Sequence, residues 1–129
     1  MKRDIETRAD LETLLGEFYA VAVRDEKIGH HFAGLDLAAH LPVIVDFWEK
    51  VLFGKPVYFG NPLFVHQKIN EKSPLLLEHF RRWTEIFGRT VDKLFAGEQA
   101  ENAKLRARMI AHSLNHRINQ DKDLKIFAG

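Results

Sequence analysis

Apolar residues recur every three or four positions along five segments of this chain, and this spacing constrains its fold more than any other feature. Such spacing places apolar side chains along one face of an α-helix. Only Val57–Phe59 alternates with the period of two that is typical of a β-strand. The sequence therefore predicts an all-α fold with four long helices and one short helix.

Local start and stop signals predict where these helices begin and end. Thr7 with Asp10 resembles a capping box, and a proline follows a capping residue at Asn61-Pro62 and again at Ser73-Pro74. The tail Asp121–Gly129 has no clear period, so we expect it to be loosely held. The predicted helices are about Ala9–Asp25, Leu37 to a stop at Gly54-Lys55-Pro56, about Pro62–Asn70, Pro74 to a stop at Gly97, and Glu98 to about Asn119.

Length and composition restrict the classes of function. The 129 residues are enough for one domain, residues 1–129, and the 46% of hydrophobic residues can form a core. The absence of cysteine excludes disulfides, thiolate nucleophiles, iron–sulfur clusters and cysteine-based zinc sites. A formal net charge of +1 does not favour a nucleic-acid partner. No segment has the apolar length of a membrane span or a leader peptide, so we expect a cytoplasmic protein.

The ten phenylalanines, two tryptophans and seven histidines are compatible with haem binding. A flat apolar macrocycle needs aromatic walls and an axial imidazole. His66 lies in the short helix that begins at Pro62, where its second ring nitrogen can donate to a backbone carbonyl near Pro62. On spacing alone, an ordinary surface or core histidine is an equally good interpretation of His66.

Three further residues are candidates for a polar pocket. His40 precedes Ile44 by one helical turn, so its imidazole should follow the apolar face rather than point to water. It is then either a ligand-binding group or a hydrogen-bonded core histidine. Tyr19 lies at the edge of the first helix's apolar face, and Trp83 lies within the apolar stripe of the fourth helix. The Trp83 indole needs an acceptor, which a ligand or the Tyr19 hydroxyl could supply, although plain core packing explains both residues equally well.

His112 and His116 are four residues apart on a predicted helix, which is a spacing that can hold a metal ion. The segment His112–His116 lacks the glutamate of the zinc-protease motif, so we do not predict a metal site there.

Taken together in their order along the chain, several short segments resemble the group III truncated haemoglobins. The resemblance covers nearly the whole sequence, and the glycine pairs of the other two truncated groups are absent. The segments are Phe18-Tyr19, Ile28-Gly29-His30-His31-Phe32, His40-Leu41-Pro42, Phe47-Trp48-Glu49, Tyr58-Phe59-Gly60-Asn61-Pro62, His66 and Arg82-Trp83.

This resemblance implies a globin-like, two-over-two helical sandwich around one haem b. It implies that His66 is the proximal iron ligand and that His40 is the distal histidine. The remaining positions that the resemblance assigns to the pocket are Tyr19 and Trp83 as polar distal groups, Ile44 as an apolar distal neighbour, and Phe32 as the aromatic residue against the macrocycle.

The resemblance further implies reversible binding of dioxygen, nitric oxide or carbon monoxide, in redox chemistry or sensing rather than bulk transport. Tyr19, His40 and Trp83 would then stabilise the ligand, and an unidentified reductase would be a partner. The sequence leaves open whether the protein is an enzyme, such as a nitric oxide dioxygenase or a peroxidase-like enzyme. Two alternatives also stay open, a bis-histidine electron-transfer protein that uses His40 and a haem-free helical interaction module.

Overall fold

The computed structural model describes residues 1–120, so the predicted loose tail Asp121–Gly129 lies outside the described residues. The described chain is helical and contains no β-strand, at Val57–Phe59 or elsewhere, which confirms the all-α prediction. No helix in this part of the chain is both long and apolar enough to cross a membrane. The elements are α1 (Arg8–Ala22), a 3₁₀ helix (Gly29–Phe32), α2 (Leu37–Phe53), α3 (Pro62–Lys72), α4 (Leu77–Leu94), α5 (Glu98–Asn115) and a π-helical turn (His116–Gln120).

Three predicted helix boundaries follow from local chemistry and are confirmed. The Thr7 hydroxyl accepts the backbone N–H of Asp10, and the Asp10 carboxylate accepts the backbone N–H of Thr7 at 3.0 Å. Asn61 caps α3, with Pro62 in the first turn. Gly54 ends α2 in the left-handed region at a φ of 68°, a conformation that only glycine adopts without strain.

Two predicted boundaries are wrong, and at each of them a side chain accepts backbone N–H groups of the adjoining turn. Helix α1 ends at Ala22 rather than at Asp25, because the Asp25 carboxylate accepts the N–H groups of Lys27 and Ile28 and turns the chain. Helix α4 begins at Leu77 rather than at Pro74. There the side chain of Asn70 accepts the N–H of Leu75, whose own side chain is buried.

The last predicted helix is divided. Helix α5 ends at Asn115, and the chain continues to Gln120 as a π-helical turn. The stretch predicted as one helix, Glu98 to about Asn119, is therefore helical throughout but changes its hydrogen-bonding pattern near its end.

Four helices form two packed pairs around the main core. Helix α1 packs on α2 and α4, and α5 packs on α4 and α2. Their inward faces supply the largest fully buried side chains, among which are Phe18, Phe87, Leu11, Leu14 and Val45. Helix α3 stands apart from this arrangement: among the described residues its main helical neighbour is the π-helical turn, and it is not packed closely against α2.

Two arginines tie separate elements together through ion pairs. Arg8 at the start of α1 binds Asp46, with 2.7 Å between Nη1 and Oδ1, and also binds the buried carboxylate of Glu49 in α2. Arg82 in α4 holds Asp25 through two N–H groups at 2.8 and 2.9 Å. The second pair fixes the loop that follows α1 against α4.

Asp10 anchors the chain that enters α1. Its buried carboxylate accepts the backbone N–H groups of Glu6 and Thr7 and two N–H groups from the Arg3 guanidinium. The hydrogen bonds from Arg3, opposed by burial, lower the pKa of Asp10 to about 2.

We expect Asp10→Asn to lower the free energy of unfolding and to make that free energy depend less on pH in the acid range. The folded pKa lies below the ordinary value of 3.8. The stability from this carboxylate is therefore present above about pH 4 and is lost as pH falls towards 2. Asparagine keeps one oxygen for the two backbone N–H groups but sets an amide donor against the Arg3 guanidinium, and this loss of the charged acceptor should lower the free energy of unfolding by about 1 kcal/mol at pH 7. The measurement is urea unfolding at pH 7 and pH 2.5, with Glu12→Gln as the exposed control. If the free energy of unfolding falls by the same amount between these pH values in wild type and in Asp10→Asn, the prediction is wrong.

Candidate functional site

His66 is held in a single ring orientation by the helix that carries it. The Asn61 side chain accepts the N–H of Phe64 at 3.1 Å and starts α3, so that His66 follows Pro62 by one turn. The Nδ1 atom of His66 lies 2.6 Å from the Pro62 carbonyl oxygen. A carbonyl can only accept, so Nδ1 carries the proton and Nε2 keeps a free lone pair. The hydrogen bond that the sequence predicted near Pro62 is confirmed.

The protonation of His66 favours coordination to a metal. The side chain is half-buried, and this burial lowers its pKa, an effect that the hydrogen bond to Pro62 partly opposes. The neutral imidazole is therefore the main form at pH 7, and only that form can offer a nitrogen lone pair to a metal.

Helix α3 packs on a different core from α2. Leu63 and Ile69 pack on a second, smaller core with Phe80, whereas Ile44 of α2 packs on the main core. Trp83 contacts both cores. Large apolar side chains in and near α3 and α2 are exposed, and these are Val43, Phe59, Phe64, Val65, Leu76 and Leu77. Two of them, Phe64 and Val65, directly precede His66 on α3, and exposed apolar side chains next to an imidazole are compatible with a flat apolar cofactor.

Tyr19 is a buried phenol with an unused hydroxyl. Its ring packs edge-on against Phe18 and Phe32, with centroids 5.0 and 5.6 Å apart. The side chain is 9% exposed, yet its hydroxyl has no hydrogen-bond partner among residues 1–120. Burial raises the pKa of Tyr19 to about 12. The hydroxyl is therefore protonated at neutral pH and can donate a hydrogen bond.

Trp83 is held by an aromatic stack within α4 and α2. Its ring stacks on Phe87 at 5.4 Å between centroids, and Phe87 stacks on Trp48 at 4.9 Å. Trp83 is half-buried and makes no hydrogen bond to Tyr19, so the Tyr19 hydroxyl, one of the two acceptors that the sequence left open, is not used by the indole. Phe18 separates the two residues, since its ring contacts both of theirs edge-on.

His40 does not follow the apolar face of α2, contrary to the sequence prediction. The residue is exposed, and so are Ala38 and Ala39 before it. The first turn of α2 therefore extends beyond the core, and the apolar face begins to be covered only around Leu41 and Ile44. Its predicted role as the distal histidine stays a prediction.

The structure brings together some of the predicted site residues and leaves others apart. Tyr19 and Phe32 are in ring contact, and Phe18 joins Tyr19 to Trp83. No ring contact or hydrogen bond joins His66 to these three in the part of the chain described. Sequence reasoning missed the structural roles of Phe18 and Phe87, although both belong to apolar helical stripes and their spacing could have indicated them.

Comparison with known proteins finds one informative likeness. The chain is similar to a solved structure described as the crystal structure of group III truncated hemoglobin from Campylobacter jejuni, with a TM-score of 0.81 and 25% sequence identity. The likeness covers 92% of this chain and 95% of that chain. No protein-family model matches the sequence, and no curated protein sequence does. The shared fold confirms the predicted globin-like helical sandwich.

We expect Phe87→Ala to destabilise the protein strongly, because this ring is fully buried between Trp48 and Trp83. Truncating a fully buried phenylalanine costs about 3–5 kcal/mol of unfolding free energy, because the stack loses its middle ring and a cavity remains. The control is Phe59→Ala, since Phe59 is 90% exposed and its loss should cost no more than about 0.5 kcal/mol. Urea unfolding measures both, and similar losses in the two variants would contradict the stacking argument.

Proposed function

We propose, on the premise that this chain is a truncated globin, that it binds one haem through Nε2 of His66 and holds a diatomic gas in a pocket near Tyr19 and Trp83. The observation that carries the proposal is the hydrogen bond from His66 Nδ1 to the Pro62 carbonyl oxygen. It fixes the tautomer and leaves the other nitrogen free to coordinate iron, as is usual for a histidine that binds a metal.

The residues present fit this cofactor in three respects. His66 offers a neutral imidazole, the residues beside it on α3 are apolar, and the Tyr19 hydroxyl makes no hydrogen bond to any described residue. Haem b, when bound, supplies reversible binding of dioxygen, nitric oxide or carbon monoxide. From the chain itself, Nε2 of His66 would hold the iron, Phe32 would pack against the macrocycle, and Ile44 would supply an apolar side chain to the pocket.

Tyr19 and Trp83 would determine how tightly the gas is held. Both carry a donor with no partner among the described residues, and neither loses an existing hydrogen bond when it donates to a ligand. A hydrogen bond to a ligand that carries negative charge contributes about 1–3 kcal/mol, which is roughly tenfold to a hundredfold in affinity. Two such donors favour slow release, which suits sensing or redox chemistry better than bulk transport.

The exposed imidazole of His40 supports a role in proton exchange with solvent. In that role the protein would act on dioxygen or nitric oxide, as a nitric oxide dioxygenase or a peroxidase-like enzyme does, and a reductase in the cytoplasm would return electrons to it. The second candidate function is electron transfer, in which His40, whose side chain is exposed and makes no hydrogen bond or ion pair to a described residue, and His66 would together hold the iron. The visible spectrum of the ferrous protein separates the two, since a six-coordinate spectrum without added gas indicates the bis-histidine form.

His66→Gly should abolish stable haem binding without unfolding the chain. The variant removes the free Nε2, whereas α3 contributes only its half-buried residues to the smaller core. The measurement is the Soret band after haem addition and gel filtration, with far-ultraviolet circular dichroism as the check on folding. His112→Gly removes an exposed histidine from α5 and is the matched control. An unchanged Soret band in His66→Gly would refute the assignment.

Tyr19→Phe should accelerate dioxygen release by about tenfold or more, because it removes one donor and keeps the ring contacts with Phe18 and Phe32. The dissociation rate is measured by stopped-flow displacement with carbon monoxide. Tyr58→Phe is the control, since Tyr58 packs on Phe47 and is not assigned to the pocket. An identical rate in wild type and Tyr19→Phe would show that the hydroxyl does not hold the ligand.

A further inference from the structure

Three histidines from two separate elements form a cluster that the globin function does not use. His30 and His31 belong to the 3₁₀ helix, and His79 lies in the first turn of α4. Their ring centroids are 4.0 Å apart for His30 and His31, 4.7 Å for His31 and His79, and 5.5 Å for His30 and His79. Each residue offers one ring nitrogen, and these three atoms lie within 4.8 Å of one another.

The ring nitrogens of His31 lack hydrogen-bond partners among the described residues. Both of these nitrogens are buried. Buried polar nitrogens without a partner are rare in proteins, and a metal ion bound here would satisfy one of the two.

The two sides of the cluster are fixed relative to each other. Asp25 accepts the N–H groups of Lys27 and Ile28, just before the 3₁₀ helix, and binds Arg82 of α4. Arg82 follows His79 by three residues, which is about one helical turn. The ion pair thus holds His30 and His31 opposite His79 before any ligand arrives.

We propose that His30, His31 and His79 bind one divalent transition-metal ion of the zinc class, separate from the iron ligand His66. Three imidazoles with a water molecule are a ligand set that Zn²⁺ takes in proteins. Nitrogen ligands without carboxylates favour Zn²⁺, Cu²⁺ or Ni²⁺ over Mg²⁺ and Ca²⁺. Zinc is the probe for this class.

Binding requires a modest closure of the three rings. Zn–N distances of about 2.0–2.1 Å place the ligand nitrogens of a tetrahedral site roughly 3.3 Å apart, so rings now within 4.8 Å must approach. His30 is exposed and free to rotate.

His79 must also release a hydrogen bond, because its Nδ1 now accepts the N–H of Leu76 at 3.0 Å and its proton lies on Nε2. Leu76 is 45% exposed, so water can satisfy its N–H when the His79 ring turns to the metal. The closure therefore leaves no buried backbone group without a partner.

The test is isothermal titration of the full chain with ZnCl₂, on the protein as purified and after haem loading. We expect one zinc ion per chain in both forms. His31→Gln and His79→Gln should each weaken binding at least tenfold, because each removes a direct ligand. His30→Gln serves as a third variant whose folding is not in question, since this side chain is exposed, and it should weaken binding in the same way.

His112→Gln is the matched control for zinc held by surface histidines and should leave the affinity unchanged. Wild-type affinity in His30→Gln and His31→Gln, or loss of binding in His112→Gln, would overturn the proposal. Zinc binding that disappears on haem loading would also overturn it, since the cluster would then belong to the haem pocket. The proposal does not depend on the haem assignment, because His66→Gly should retain its zinc affinity even where it loses haem.

Discussion

The hydrogen bond between the His66 ring and the Pro62 carbonyl is the interaction on which the interpretation of this molecule depends. Both residues lie on α3, one turn apart, so the bond forms wherever the helix forms. The same carbonyl also accepts the backbone N–H of residue 66 in α-helical register, and its second lone pair is available to the ring. Proline at the first turn gives up no helical hydrogen bond, and the Asn61 cap fixes where the turn begins. A short local segment therefore determines which nitrogen His66 presents.

The distal residues illustrate a different physical situation, in which the fold leaves polar groups unpaired. The Tyr19 side chain is 9% exposed, and its hydroxyl makes no hydrogen bond within the described part of the chain. Its ring packs edge-on against Phe18, which in turn contacts Phe87 in the stack with Trp48, and the burial of these aromatic rings stabilises this region. Stability is thus supplied by residues that carry no chemistry, and the donors stay available for a ligand.

The sequence predicted best those features that depend on neighbours along the chain. The caps at Thr7 and Asn61, the stop at Gly54 and the His66 hydrogen bond all involve residues at most four positions apart, and the structure confirms each of them. Periodicity could not predict that the first turn of α2 extends past the core, which leaves His40 exposed. Nor could it predict that Phe18 would separate Tyr19 from Trp83, since that depends on how α1 packs on α4.

The histidine cluster is another feature that the sequence could not predict, because its members are far apart along the chain. It also lies close to the proposed gas-binding residues. His30-His31 is visible in the sequence, but its partner His79 is far along the chain and is brought to it by the Asp25–Arg82 ion pair. Arg82 directly precedes Trp83 on α4, so this one contact sets the position of a proposed gas donor and of a proposed metal ligand. The Asp25 carboxylate is nearly buried, at 7% exposure of its side chain, which shields the pair from solvent screening. A change at His79 that moves the start of α4 would therefore be transmitted to Trp83 through one turn of helix, which gives the two sites a short physical connection.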